Sequence, residues 1–225
     1  MERMILDVLF QWRDLVNPEF YIQHGGLWLF LFIVFAETGL FAGFFLPGDS
    51  LLFVAGIYSN ELAAELFLLN NDFLNLLVVC LFVIGAGILG NTVGYWFGAA
   101  SGPYLFNRPD TFFFKKKHLF TAREFYEKHG GGAIVFARFL PIIRTFAPIV
   151  AGIVRMEKST FSLYNIIGCI AWVLSMMFAG HYLYKFFLSQ YGFDLKDRLE
   201  LIVLGIVLVT TAPVLIRLFR KKQNP

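Results

Sequence analysis

The residues that could do chemistry in this sequence are few, and they are charged residues set in apolar runs. Ala133 to Gly152 reads AIVFARFLPIIRTFAPIVAG, carrying Arg138 and Arg144, with Pro141 and Pro148 interrupting any continuous helix. An arginine at the middle of a membrane helix costs about 2.5–3.5 kcal/mol on insertion scales. Non-helical backbone survives at membrane depth only where it is buried in protein or lines a wet cavity. The stretch therefore reads as a re-entrant hairpin whose guanidinium groups face a polar pocket. Their fixed fork of donors suits phosphate oxygens.

A counterpart lies in the first half. Leu27 to Ile57 is equally apolar, with Glu37 near its middle and Pro47-Gly48-Asp49 at its break. A carboxylate in low dielectric takes up a proton more readily than one in water, so Glu37 and Asp49 are candidate proton carriers. The bland readings stand beside these: Asp49 as a turn at the lipid interface held by backbone amides, and Glu37 as a structural ion pair with an arginine of the other hairpin. Pairing of Arg138 and Arg144 with the two acids is compatible with phosphate binding, because proton uptake by the acids would release the arginines.

Composition fixes the class. The chain is 58% hydrophobic and 16% charged, with 28 Phe, where a soluble domain carries about 25% charged residues; mean hydropathy is +0.66. This is an integral membrane protein, read as a single domain over 1–225. Cys80 and Cys169 lie in apolar runs and read as small buried hydrophobes. No metal-ligand spacing or nucleophile elbow is present, so no cofactor, metal or enzymatic activity is expected. Gly85 to Gly90 matches G-x-G-x-x-G, but without a preceding strand the match is accidental. Lys115–Lys117 reads as an anchor against anionic lipid rather than a nucleic-acid patch.

The elements that must position the charges follow from hydropathy. Residues 1–26 read as an amphipathic interfacial helix. Three transmembrane helices are expected at about 73–100, 160–185 and 199–218, and two re-entrant hairpins at about 27–57 and 133–154. Gly90, Gly94 and Gly98 recur every fourth residue and predict close helix contact. Asn91 and Asn165 read as bonds between helices, with contact to a substrate as the alternative, and His181 as an interfacial residue near a helix end. Residues 59–72 carry Glu61, Glu65 and Asp72 and no base, whereas the 101–132 loop, the 155–160 connector and the C-terminal tail are rich in Lys and Arg. The positive-inside rule puts the basic segments in the cytoplasm and the acidic loop outside. Both ends of the second hairpin are then cytoplasmic, and the first hairpin mirrors it from outside. The fold class is an all-α membrane protein with an inverted-topology repeat, an arrangement common among secondary transporters. The repeat is inferred from topology alone, since the halves share no obvious sequence identity.

The segments FAETGLFAGFFLPGDSLLFVAG at 35–56, GNTVGYWFG at 90–98, FYEKHGG at 125–131 and ARFLPIIRTFAPIVAG at 137–152 resemble the DedA family of SNARE-associated, or VTT-domain, membrane proteins. With the terminal helices the resemblance covers nearly the whole chain. It implies a bacterial inner-membrane transporter or flippase for lipid-linked phosphates, with undecaprenyl phosphate the best-supported substrate class and a link to the proton motive force. The family's acidic pair falls on Glu37 and Asp49, and its arginine pair on Arg138 and Arg144. Its second segment often has an acid after the first glycine. Here that position is Asn91, which leaves it a supporting role beside Pro47, Gly48 and Pro141.

The expectation is a proton-coupled flippase with a polyprenyl phosphate or phospholipid as partner, protons as coupling ion and no nucleic acid. The alternatives are an ion or small-cation antiporter and a non-transporting scaffold. Oligomeric state is left open, a homo-oligomer included.

Overall fold

A computed structural model describes residues 18–40, 48–66, 69–107, 124, 126, 128, 130–192, 194–198 and 205. Pro47, the third span at 199–218 apart from residue 205, and most of the N-terminal amphipathic helix lie outside the described residues. Within them every element is helical: α1 Pro18–Gly39, α2 Gly48–Ile57, α3 Ser59–Ala64, α4 Asp72–Asn107, α5 Gly132–Arg138, α6 Pro141–Ile153, α7 Lys158–Tyr191, and a 3-10 turn at Leu195–Arg198.

Two of these helices can cross a membrane. α4 has 36 residues and α7 has 34, so each is roughly 50 Å long at 1.5 Å per residue and exceeds a hydrocarbon core of about 30 Å. Their outward faces stay apolar: Leu81, Leu89, Trp96 and Phe97 on α4 are exposed, as are Leu163, Ile166 and Phe186 on α7. Such a surface suits lipid rather than water. By contrast α2 has 10 residues and α6 has 13. Neither reaches across by itself.

Local chemistry sets the breaks. Leu140 is extended because the residue before a proline is driven out of the α region. Pro141 then occupies the first turn of α6, where its missing N–H costs nothing. Pro148, expected to interrupt the segment, instead lies inside α6; it deprives the Arg144 carbonyl of its usual partner without ending the helix. α1 is kinked at Gly26, with φ 57° and ψ −155°. The helix restarts at Leu27, whose N–H donates to both carboxylate oxygens of Glu65 at 3.0 Å. Glu65, read as part of an acidic outer loop, is thus the cap of the first apolar segment.

The packing has a repeated logic. α1 lies on α4 and α5 on α7, each first arm on the long helix that follows it. The second arms exchange: α2 lies on α7 and α6 on α4. Glycines set both crossings. A Cβ on Gly56 would lie 2.1 Å from the Met177 carbonyl oxygen, and one on Gly180 would lie 2.0 Å from that of Phe53. Likewise a Cβ on Gly152 would lie 2.0 Å from the Tyr95 oxygen, and one on Gly98 would lie 2.0 Å from that of Ile149. In each pair the arm glycine faces the carbonyl three residues before the long-helix glycine, and the reverse also holds. The matched crossings coincide with a short sequence echo between the two halves. FLP recurs at 45–47 and 139–141, and VAGI at 54–57 and 150–153, with spacings that differ by two residues.

Two apolar clusters flank the middle of the molecule. The larger joins Leu27, Phe30, Leu51, Leu52, Val79 and Trp172 with their neighbours on α1, α2, α4 and α7; the smaller joins Tyr95, Ile134, Ala151 and Phe161. If the glycine crossings hold the arms in place, Gly56→Val and Gly152→Val should each destabilise the fold by about 1–3 kcal/mol through overpacking. Gly85→Ala should be neutral, since a Cβ there meets nothing within 4 Å. Thermal melting of the detergent-solubilised protein checks both statements.

Candidate functional site

Glu37, Asp49 and Arg144 meet in one buried group, and Arg138 is buried separately beside Asn165 of α7. Each sits where an element begins or ends, or deep inside one. Glu37 is near the end of α1, Asp49 in the first turn of α2, Arg138 at the end of α5 and Arg144 one turn into α6. All are nearly inaccessible: Glu37 is 1% exposed, Arg138 5%, Asp49 8% and Arg144 8%.

Arg144 is the bridge. One terminal nitrogen donates to Glu37 Oε1 and the other to Asp49 Oδ1. A fork that spreads over two carboxylates is a use of arginine that lysine cannot copy. Gly48 makes room for it, because a Cβ there would lie 1.8 Å from Glu37 Oε2. The start of α2 also favours the negative charge of Asp49. Trp172, from the middle of α7, donates its indole N–H to Asp49 Oδ1 at 2.8 Å, and the Arg144 guanidinium carbon lies 4.9 Å from the Trp172 ring centroid.

Arg138 is held differently. Its Nη2 donates to Asn165 Oδ1 at 2.6 Å, and Asn91 donates to the same oxygen at 2.8 Å. Asn165 donates in turn to the Ile88 carbonyl at 3.3 Å. Asn91 and Asn165 thus join α4 to α7 and aim Arg138. Among the described residues Arg138 has no carboxylate partner. Among the described residues three buried side-chain polar atoms have no hydrogen-bond partner: Glu37 Oε2, Arg138 Nε and Arg144 Nε. Glu37, Asp49, Arg138 and Arg144 carry no net charge together when all are ionised, yet the pairing is lopsided. One guanidinium has two acids and the other has none.

The family model described as the VTT domain matches residues 46–182. The chain is 40% identical over 201 residues to Protein DedA of Escherichia coli K12, covering 88% of this chain and 85% of that protein. This is a DedA-family membrane protein. Relatives also include an uncharacterized membrane protein of Mycobacterium tuberculosis, 34% identical over 220 residues with 94% of this chain and 90% of that protein covered. Inner membrane protein YqjA of Escherichia coli K12 is 30% identical over 221 residues, with 94% and 91% covered. No solved structure matches the chain.

Within the VTT domain lie Asp49, Arg138, Arg144 and the aiming asparagines, while Glu37 precedes the matched span. The sequence singled out all four charges by the cost of burying them. It missed Trp172, whose polar N–H in an apolar helix was the available signal, because a buried indole N–H usually finds a partner. It gave no sign that His181, near the end of α7, is 3% exposed and held by other helices. Pro141 lies at the break before α6, and Asn91 supports Arg138 through Asn165.

Removing Arg144 leaves two buried carboxylates facing one another, so Arg144→Ala should destabilise the DedA-family fold by about 3–5 kcal/mol. The neutral triple variant Glu37→Gln, Asp49→Asn, Arg144→Gln should recover most of that loss. Trp172→Phe should cost about 1.5–3 kcal/mol for the lost hydrogen bond to a buried carboxylate. Melting curves in detergent separate the three outcomes.

Proposed function

We propose that the protein is a proton-coupled flippase for lipid phosphates, with undecaprenyl phosphate or a related phospholipid as its cargo. The observation that carries this reading is the unequal pairing of the two buried arginines. Arg138 presents a guanidinium with an unpartnered Nε and no carboxylate, which leaves donors for phosphate oxygens. Arg144 is occupied by Glu37 and Asp49.

Proton uptake by either acid weakens its hold on Arg144, because a neutral carboxyl gives up the charge-assisted part of the bond. Arg144 then joins Arg138 on the headgroup, and the two guanidinium groups together suit a phosphate dianion. Proton release restores the Arg144 bridge and expels the phosphate. The lipid tail stays outside, along the apolar faces of α4 and α7, so only the headgroup is desolvated by the protein.

The exchanged arms, the four matched glycines and the FLP…VAGI echo support an inverted-topology repeat of two re-entrant hairpins. In that reading α1 with α2 enters from outside and α5 with α6 from the cytoplasm, with the C-terminus cytoplasmic. The crossings are tight but meet backbone against backbone, which permits one arm to slide on its long helix as a unit. A non-transporting scaffold draws some support from the Arg144 bridge, and charge-swapped variants with full cellular activity would favour it.

Reconstituted protein should move a lipid-phosphate headgroup across vesicles faster with a pH gradient than without one. Arg138→Ala should slow this by roughly 10–100-fold, from the loss of about 1.5–3 kcal/mol of charged hydrogen bonding. Arg138→Lys should be a poor substitute. A well-folded Arg138→Ala protein that transports at the normal rate would end this reading. For the topology, cysteines at the exposed positions Glu61 and Lys158 should label from opposite faces of intact membranes.

A further inference from the structure

A second buried polar centre lies away from the arginines, at the end of the molecule where α2 gives way to α3. His181 on α7 is its hub. Its Nε2 lies 2.9 Å from Asp72 Oδ2 at the start of α4, and its Nδ1 lies 3.0 Å from Ser59 Oγ and 3.3 Å from the Gly56 carbonyl oxygen. One imidazole thus touches α2, α3 and α4 from α7.

The hydrogen-bond roles restrict its protonation states. An ionised carboxylate only accepts, so Nε2 carries a hydrogen toward Asp72. In the neutral ring Nδ1 is an acceptor, which Ser59 can satisfy with its hydroxyl hydrogen. The Gly56 carbonyl then faces a lone pair. In the imidazolium Nδ1 becomes a donor, and both Ser59 Oγ and the Gly56 oxygen can accept from it. Gly56 is the second-last residue of α2, where the helix dipole favours a cation.

The surrounding charges are few. Asp72 also accepts from Lys185 and from the Asn60 amide, and Asn75 holds Asn60 at 2.9 Å. Glu61 of α3 is paired with Lys196. The Tyr182 ring meets the imidazole edge-on at 5.2 Å. On α2 the nearest titratable residue is Asp49, seven positions away and roughly 10 Å by helical rise. The Asp72 and Lys185 side chains are 32% and 49% exposed, so a proton can reach the ring without crossing the apolar core.

We propose that His181 is a second proton-binding site, separate from Glu37 and Asp49, and that a proton bound there tightens the grip of α7 on the C-terminal end of α2. The device exists at one crossing only. His181 follows Gly180, and the residue that follows Gly98 at the matching crossing is Ala99, which cannot titrate. A proton bound at this device therefore acts on α2 and has no counterpart on α6. The inference does not depend on what cargo the protein moves.

The test uses the full-length protein in nanodiscs without added lipid phosphate. Histidine-selective NMR follows the ring between about pH 5 and pH 8, the range in which histidine ordinarily changes charge, and the His181 signal is identified by its loss in His181→Gln. Hydrogen exchange of residues 54–62 is measured in parallel and corrected for intrinsic rates. The expected result is proton uptake by His181 within that range, with exchange at 54–62 slowed about threefold or more in the charged form and no such pH dependence in His181→Gln. In Ser59→Ala the slowing should persist, since Gly56 still accepts from Nδ1. A ring that stays neutral throughout, unchanged pH dependence in His181→Gln, or its loss in Ser59→Ala would each overturn the proposal.

Discussion

A guanidinium buried in a lipid-embedded bundle must be neutralised where it stands, and Arg144 meets this demand with two carboxylates from a segment about a hundred residues earlier in the chain. The surrounding structure follows from that requirement. Glu37 and Asp49 can reach one guanidinium only if the apolar segment that carries them is broken between α1 and α2, with Gly48 leaving space at the break. Arg144 can reach them only because Pro141 restarts the second segment as α6. Charge in low dielectric therefore dictates where both helices are interrupted.

The bridge alone does not fix the arms in place. Their positions come from backbone-to-backbone crossings at Gly56 with Gly180 and Gly152 with Gly98, which let short helices lie directly on long ones. In lipid, where apolar side chains gain little by leaving the solvent, such close approach supplies the packing. The exchange of second arms between α4 and α7 ties the two halves together. Moving either arm changes the environment of the ion pairs.

Arg138 departs from the neutralising rule, and this separates the functional reading from a purely structural one. Its neighbours Asn91 and Asn165 orient it with neutral groups. The proposed exchange between internal acids and an external phosphate rests on this positive centre, held in a buried site while the second arginine is already neutralised. Trp172 and Gly48 belong to the same machinery, since they hold the carboxylates that would be exchanged. His181 stands apart at the other end of α2.

The sequence by itself determined the membrane class, the two long helices and the four charges that the fold buries, because composition, length and the cost of burying ionised groups are properties of the chain read in order. Asn91 was read as a helix-to-helix bond, which is what it makes, and Pro141 as a break, which it is. Pro148 was misread, since a proline inside a helix and one that ends it look alike without the neighbours that tolerate the missing bond. Only the tertiary structure decided that Arg144 takes both acids and Arg138 neither, that Trp172 completes the Asp49 site, and that Glu65 and His181 tie separate helices together. Each of those outcomes depends on partners from 38 to 125 positions away along the chain. Periodicity and local composition cannot register a contact across such distances, because hydrogen bonds and ion pairs are settled by which helices the glycines allow to touch.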